Sequence, residues 1–145
     1  MMNGLIIIVY IWLAFIATSF WESSVEGRRA WDKGKVGWKL KFGKYVISTR
    51  YHFWVYVMFI LLLGLPFLIF GWNKWLFGII LTAFFSGWVV EDFFWYLVNP
   101  VVKVRELNTK FASYYPRINF GYFKIPLFYF IGIILAVVSY IIFCS

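Results

Sequence analysis

The sequence contains one cysteine and one histidine, and each scarcity excludes a chemistry. Cys144 alone cannot close an intrachain disulfide or build a cysteine-based metal motif, and its place next to the last residue lacks the spacing of a prenylation box. His52 alone cannot supply the two-histidine helix of a zinc protease, the paired Glu-x-x-His motifs of di-iron bundles or two axial haem ligands. The same count excludes the multi-histidine centre of membrane oxygenases. A nucleophile elbow and a glycine-rich phosphate loop are absent as well, so familiar hydrolase and NTPase chemistries have no residues to carry them. Acids are also few, with six Asp and Glu against fourteen Lys and Arg, for a net charge of +8.

What fills the chain is apolar. Hydrophobic residues make up 63% and aromatics 26%, and mean hydropathy is +0.81, against roughly 45–50% apolar residues in soluble domains. Four stretches, 4–21, 53–70, 75–98 and 125–144, reach the length of about 20 residues that a membrane helix needs. The two shortest, at 18 residues, still span about 27 Å at 1.5 Å rise per residue. The expected fold is all-α: a four-span transmembrane helical bundle forming a single integral membrane domain over 1–145.

Charge placement orients it. The segment 22–52 holds eight Lys and Arg and the segment 99–124 holds five, whereas the connection between the second and third stretches holds only Lys74. The positive-inside rule makes the two basic loops cytoplasmic and sends both termini outside. Ala17-Thr18-Ser19 resembles a signal cleavage site, but positive charge follows the first apolar run rather than preceding it, so the span is expected to be retained. Gly71-Trp72-Asn73-Lys74 reads as a tight turn joining an antiparallel helical pair. Gly64 and Pro66 are expected to kink the second span, and Asn99-Pro100 to end the third. No internal repeat stands out.

The first basic loop has a pattern of its own. Val36, Trp38, Leu40 and Phe42 alternate with Gly37, Lys39 and Lys41, a period of two that fits a strand or an extended interfacial segment. Trp, Tyr and Lys at this density belong at lipid headgroups, so the expected partners are the bilayer and its anionic headgroups, not nucleic acid. Membrane-protein partners or a homo-oligomer are further possible partners.

Glu91 and Asp92 are the only acids inside any apolar stretch. A carboxylate at bilayer depth costs roughly 2.5–3.5 kcal/mol on insertion scales, so the pair needs a partner, a proton or a cation. The span order brings company to the same depth, because Glu22, Glu26 and His52 all fall near the cytoplasmic leaflet. Ala14, Thr18, Glu22 and Glu26 lie four apart and would share one face if the first helix continues past the membrane. A capping box at Ser23 and Glu26, starting a separate helix, is the competing reading. Ala83, Gly87 and Glu91 are also four apart, which would bring Glu91 into a close helix contact, while Asp92 is rotated by about 100°.

Two chemistries are open for Glu22, Glu26, His52, Glu91 and Asp92. One is an ion-pair lock with Arg28, Arg29 and Arg50 as counter-ions. The other is a site for a divalent metal ion, since carboxylates suit Mg, Ca or Mn and a mixed set can hold Fe or Zn. A proton relay is a third use of such acids, and His52 at a helix start also reads as an interfacial polar residue. Alternatives of another class are a non-catalytic accessory or assembly subunit of a membrane complex, and a carboxylate-based enzyme acting on lipid headgroups, with Arg28 and Arg29 contacting lipid phosphate.

Glu26-Gly27-Arg28 with Trp31, Tyr51-His52, and Glu91-Asp92 with Trp95 and Asn99-Pro100 resemble the pattern of small prokaryotic multi-pass membrane proteins. That resemblance implies a prokaryotic cell membrane and supports the choice of residues, but the family has no assigned activity to lend. Its members carry glycine where this chain has Ala30 and histidine where it has Tyr114 and Tyr115, a departure that removes potential metal ligands.

Overall fold

The computed structural model describes residues 3–30 and 37–145. Trp31 of the first motif, Val36 of the alternating segment, and Lys33 and Lys35 of the basic loop lie outside the described residues. The element order is α1 (Gly4–Glu26), β1 (Lys39–Phe42), β2 (Tyr45–Thr49), α2 (Arg50–Phe70), α3 (Lys74–Val98), two short 3-10 turns, β3 (Arg117–Phe120), β4 (Phe123–Pro126) and α4 (Leu127–Cys144). Among the described residues these four helices are long and apolar enough to cross a membrane, consistent with a multi-pass membrane protein. The all-α expectation is corrected by two antiparallel β-hairpins, one in each basic loop.

Both hairpins follow one plan. Lys39-Leu40-Lys41-Phe42-Gly43 and Arg117-Ile118-Asn119-Phe120-Gly121 put a basic residue first, an aromatic last and glycine at the turn. Phe42 pairs with Tyr45 and Phe120 with Phe123 across two-residue turns. Gly43 and Gly121 take positive φ, 56° and 58°, as the first position of such a turn requires. In each case the second strand runs straight into a long helix, at Thr49/Arg50 and at Pro126/Leu127. The chain is therefore a helix, a hairpin and a helix used twice. The sequence hides this internal repeat, because the second loop carries the extra 3-10 turns and its final strand is as apolar as the helix that follows.

Lipid tails are as apolar as leucine, so helices in a membrane associate through close packing rather than through escape from water. α3 is built for that role. Gly87 lies against the ring of Phe15 on α1, and Gly78 against Phe143 and Cys144 on α4. Gly132 of α4 sits so close that a Cβ there would come within 3.0 Å of the Phe85 carbonyl oxygen. Polar contacts fix the same seams: Trp12 Nε1 donates to Ser86 Oγ at 2.9 Å, and Ser19 Oγ donates to the Glu91 carbonyl at 2.8 Å.

α2 is held differently. Its backbone stays apart from α1, and the two meet through the stacked rings of Phe15 and Phe59, 4.4 Å apart. Tyr56 reaches Trp88 of α3. α2 continues through Pro66 as one helix, and nothing packs against Gly64. The consequence is a gap between α2 and the other three helices at the hairpin end of the molecule.

Candidate functional site

α1 runs unbroken to Glu26, so Glu22 and Glu26 share one helical face, and the separate helix starting at Ser23 does not form. The helix stops at Gly27, whose φ of 53° belongs to glycine. Asn99 then joins two distant stretches. Its Nδ2 donates to the Gly27 carbonyl at 3.0 Å, while its Oδ1 accepts from the Val101 and Val102 amides. This residue, expected only to end the third span, clamps the end of α1 to the end of α3.

On the other side of the gap, Thr49 caps α2. Its hydroxyl accepts from the His52 amide at 3.4 Å and lies 2.7 Å from His52 Nδ1. The ring is thereby fixed with Nε2 facing Glu26 Oε1 at 3.8 Å. Ligand atoms of Glu22, Glu26 and His52 all lie within 4.8 Å of one another, and the three residues are 5%, 6% and 5% exposed.

α3 contributes the second pair. The Glu91 carboxyl faces that of Glu22, and Glu91 Oε1 is buried without a hydrogen-bond partner. Asp92 Oδ2 accepts from Tyr129 at 2.5 Å. Despite their different helical directions, Glu91 and Asp92 line one cavity of about 430 Å³ together with Glu22, Glu26 and His52. The indole Nε1 atoms of Trp88 and Trp95, in the same wall, also have no hydrogen-bond partner.

The acids and His52 share the cavity with apolar side chains, among them Phe15, Val55, Phe59, Phe128 and Ile131. Tyr114 and Tyr115 line it as well, and both phenols lie within 3.2 Å of the Tyr96 hydroxyl. Burial pushes both of these loop tyrosines well above the ordinary phenol value, with Tyr96 adding to the effect on Tyr114 and Asp92 to that on Tyr115. They act as neutral hydrogen-bonding groups, not phenolates. Sequence reasoning passed over Tyr129 and Thr49, and named Tyr114 and Tyr115 only as positions where the similar proteins carry histidine; the Tyr-Tyr-Pro triplet was the available signal for these two.

The arginines lie elsewhere. Arg28 forms a two-pronged pair with Glu106, at 3.1 and 2.7 Å, donates to the Val101 carbonyl at 2.6 Å and covers the Phe111 ring. That pairing raises the Arg28 guanidinium and lowers the Glu106 carboxyl from their ordinary values. Arg29 and Arg50 are exposed, and the Arg50 amide is bonded to the Trp38 carbonyl. The structure thus brings together the five predicted acid and histidine positions and directs Arg28 to a different partner. No family model matches the sequence, and no curated protein or solved structure is similar to it.

Proposed function

We propose that this is a membrane protein that binds a divalent metal ion through Glu22, Glu26 and His52 near its cytoplasmic face. The carrying observation is the His52 Nε2 to Glu26 Oε1 separation of 3.8 Å within a buried set whose ligand atoms span no more than 4.8 Å. At 3.8 Å the two atoms are too far apart to hydrogen-bond. Ligands each about 2.0–2.2 Å from one ion are at most roughly 4.3 Å apart, so the separation suits two ligands of one metal.

Thr49 supports this reading. When Nδ1–H donates to the threonine hydroxyl, Nε2 presents its lone pair toward Glu26, the tautomer that metal ligation needs. Three protein ligands beside a cavity also leave a coordination position open, as in catalytic rather than structural sites. Two carboxylates with one imidazole suit Mn, Fe or Zn. In this reading Glu91 adjoins Glu22 and accepts from water or a ligand at the open position.

The occurrence of thirteen of fourteen Lys and Arg in the two sequence segments 22–52 and 99–124 supports a cytoplasmic location for the site and outside termini. The hairpins, with Trp38, Leu40, Phe42, Phe120 and Phe123 exposed beside lysines, then rest on anionic headgroups. Elemental analysis of protein purified without chelator tests the proposal. About one metal per chain is expected, lost in Glu26→Gln and His52→Ala; metal-free protein that also fails to take up added Mn, Fe or Zn would sink it.

A further inference from the structure

The cavity is far larger than an ion needs. Ligand pockets run from about 300 to 1,000 Å³ and combine apolar walls with a few convergent polar groups, and this one, at about 430 Å³, has that division. A metal at Glu22, Glu26 and His52 offsets two carboxylates and leaves Glu91 and Asp92 facing the remaining space. Glu91 Oε1 is buried and has no hydrogen-bond partner. Around these acids stand the rings of Tyr56, Trp88, Trp95, Tyr114 and Tyr115.

Carboxylates with aromatic faces form the environment that attracts an organic ammonium group. Phe15 of α1, Val55 and Phe59 of α2, and Phe128 and Ile131 of α4 add apolar lining to the same cavity. We infer that the cavity binds a long-chain amine, with its ammonium head at Glu91 and Asp92 and its aliphatic chain between α2 and α4. A cationic head offers Glu91 and Asp92 a charged partner, which a neutral head does not, and an anionic head would meet four carboxyl groups. The inference does not depend on the metal, because Glu91 and Asp92 line the cavity in addition to Glu22, Glu26 and His52.

Native mass spectrometry of the full chain in neutral maltoside micelles, with dodecylamine, dodecanol and dodecyl sulfate as probes, decides the question. One saturable dodecylammonium per chain is expected, with no comparable adduct of the other two. The Glu91→Gln/Asp92→Asn double variant should bind the amine at least tenfold more weakly. Ile131→Trp, which enlarges a residue of the apolar lining and leaves every acid in place, should do the same with metal content unchanged. Equal uptake of all three probes, or amine binding that survives both variants in protein with wild-type circular dichroism, overturns the inference. A metal-free protein that still binds the amine refutes the metal proposal alone; a metal-loaded protein that ignores the amine refutes this one alone.

Discussion

The two halves of the chain share a plan and differ in how tightly they close. In the second half α4 lies against α3 with Gly78 and Gly132 at the contact, and Thr82 Oγ1 lies within hydrogen-bond distance of the Ala136 carbonyl. In the first half α2 meets α1 through rings, and its own glycine, Gly64, touches nothing. Even the tyrosines correspond. Tyr51 and Tyr129 each fall eight residues after the turn glycine; Tyr51 interacts with Glu22, and Tyr129 donates to Asp92. One half is packed shut, the other stands open, and the buried acids and histidine collect around the opening. Small residues at the seam, rather than helix length or hydropathy, decide which half closes.

The strongest way to break this comparison is to enlarge a residue in the closed half. Gly132→Leu forces a side chain into the Phe85 backbone, and overpacking of that kind costs about 1–3 kcal/mol. Gly64→Leu, in open space, should stay within about 0.5 kcal/mol, as surface changes usually do. Unfolding in mixed micelles measures both, and equal losses would show that the asymmetry has no energetic meaning.

Thr49→Val sharpens the account of the open half. It keeps the size of the side chain but removes the group that orients His52, so metal affinity should fall about 10- to 100-fold, read by competition against a chelator dye. Unchanged affinity would mean that His52 is not a ligand.

The smallest effect concerns the pair that joins the halves on their basic side. Arg28 lowers the Glu106 carboxyl from its ordinary value near 4.5. A carboxyl lowered by folding contributes stability that is present above its unfolded value and lost as pH falls through the folded one. The melting temperature of wild type should therefore exceed that of Glu106→Gln at pH 6, and the difference should shrink as pH falls below the ordinary carboxyl value of 4.5. Added salt should shrink it as well, since the pair is exposed. A difference that changes with neither pH nor salt would assign it to something other than charge.

The helices were legible because each is built on a long apolar run, and only the third of these runs holds acids. The first hairpin was legible in part, since Trp38, Leu40 and Phe42 alternate with lysines; the second was not, because the apolar residues of β4 merge with α4. The acids and His52 could be gathered from span order alone, as depth follows from topology. Tyr129 could not be picked out of a chain so rich in aromatics, and Tyr114 and Tyr115 were marked only by the resemblance, as departures from histidine. Nor could the partner of Arg28, because Glu106 lies 78 residues away and charge counting does not see pairing.

The Asn99 clamp has a consequence for the order in which the molecule is made. Its bond to the Gly27 carbonyl spans 72 residues, so α1 is synthesised well before the residue that ties down its end. Until α3 arrives, Glu22 and Glu26 have no Glu91 beside them, and the cavity lacks a wall. Domains and segments mature from the N-terminus during synthesis, which makes completion of the site a late event in biogenesis. A chain interrupted after the second helix would hold Glu22, Glu26 and His52 without the clamp of Asn99 or the wall that α3 supplies.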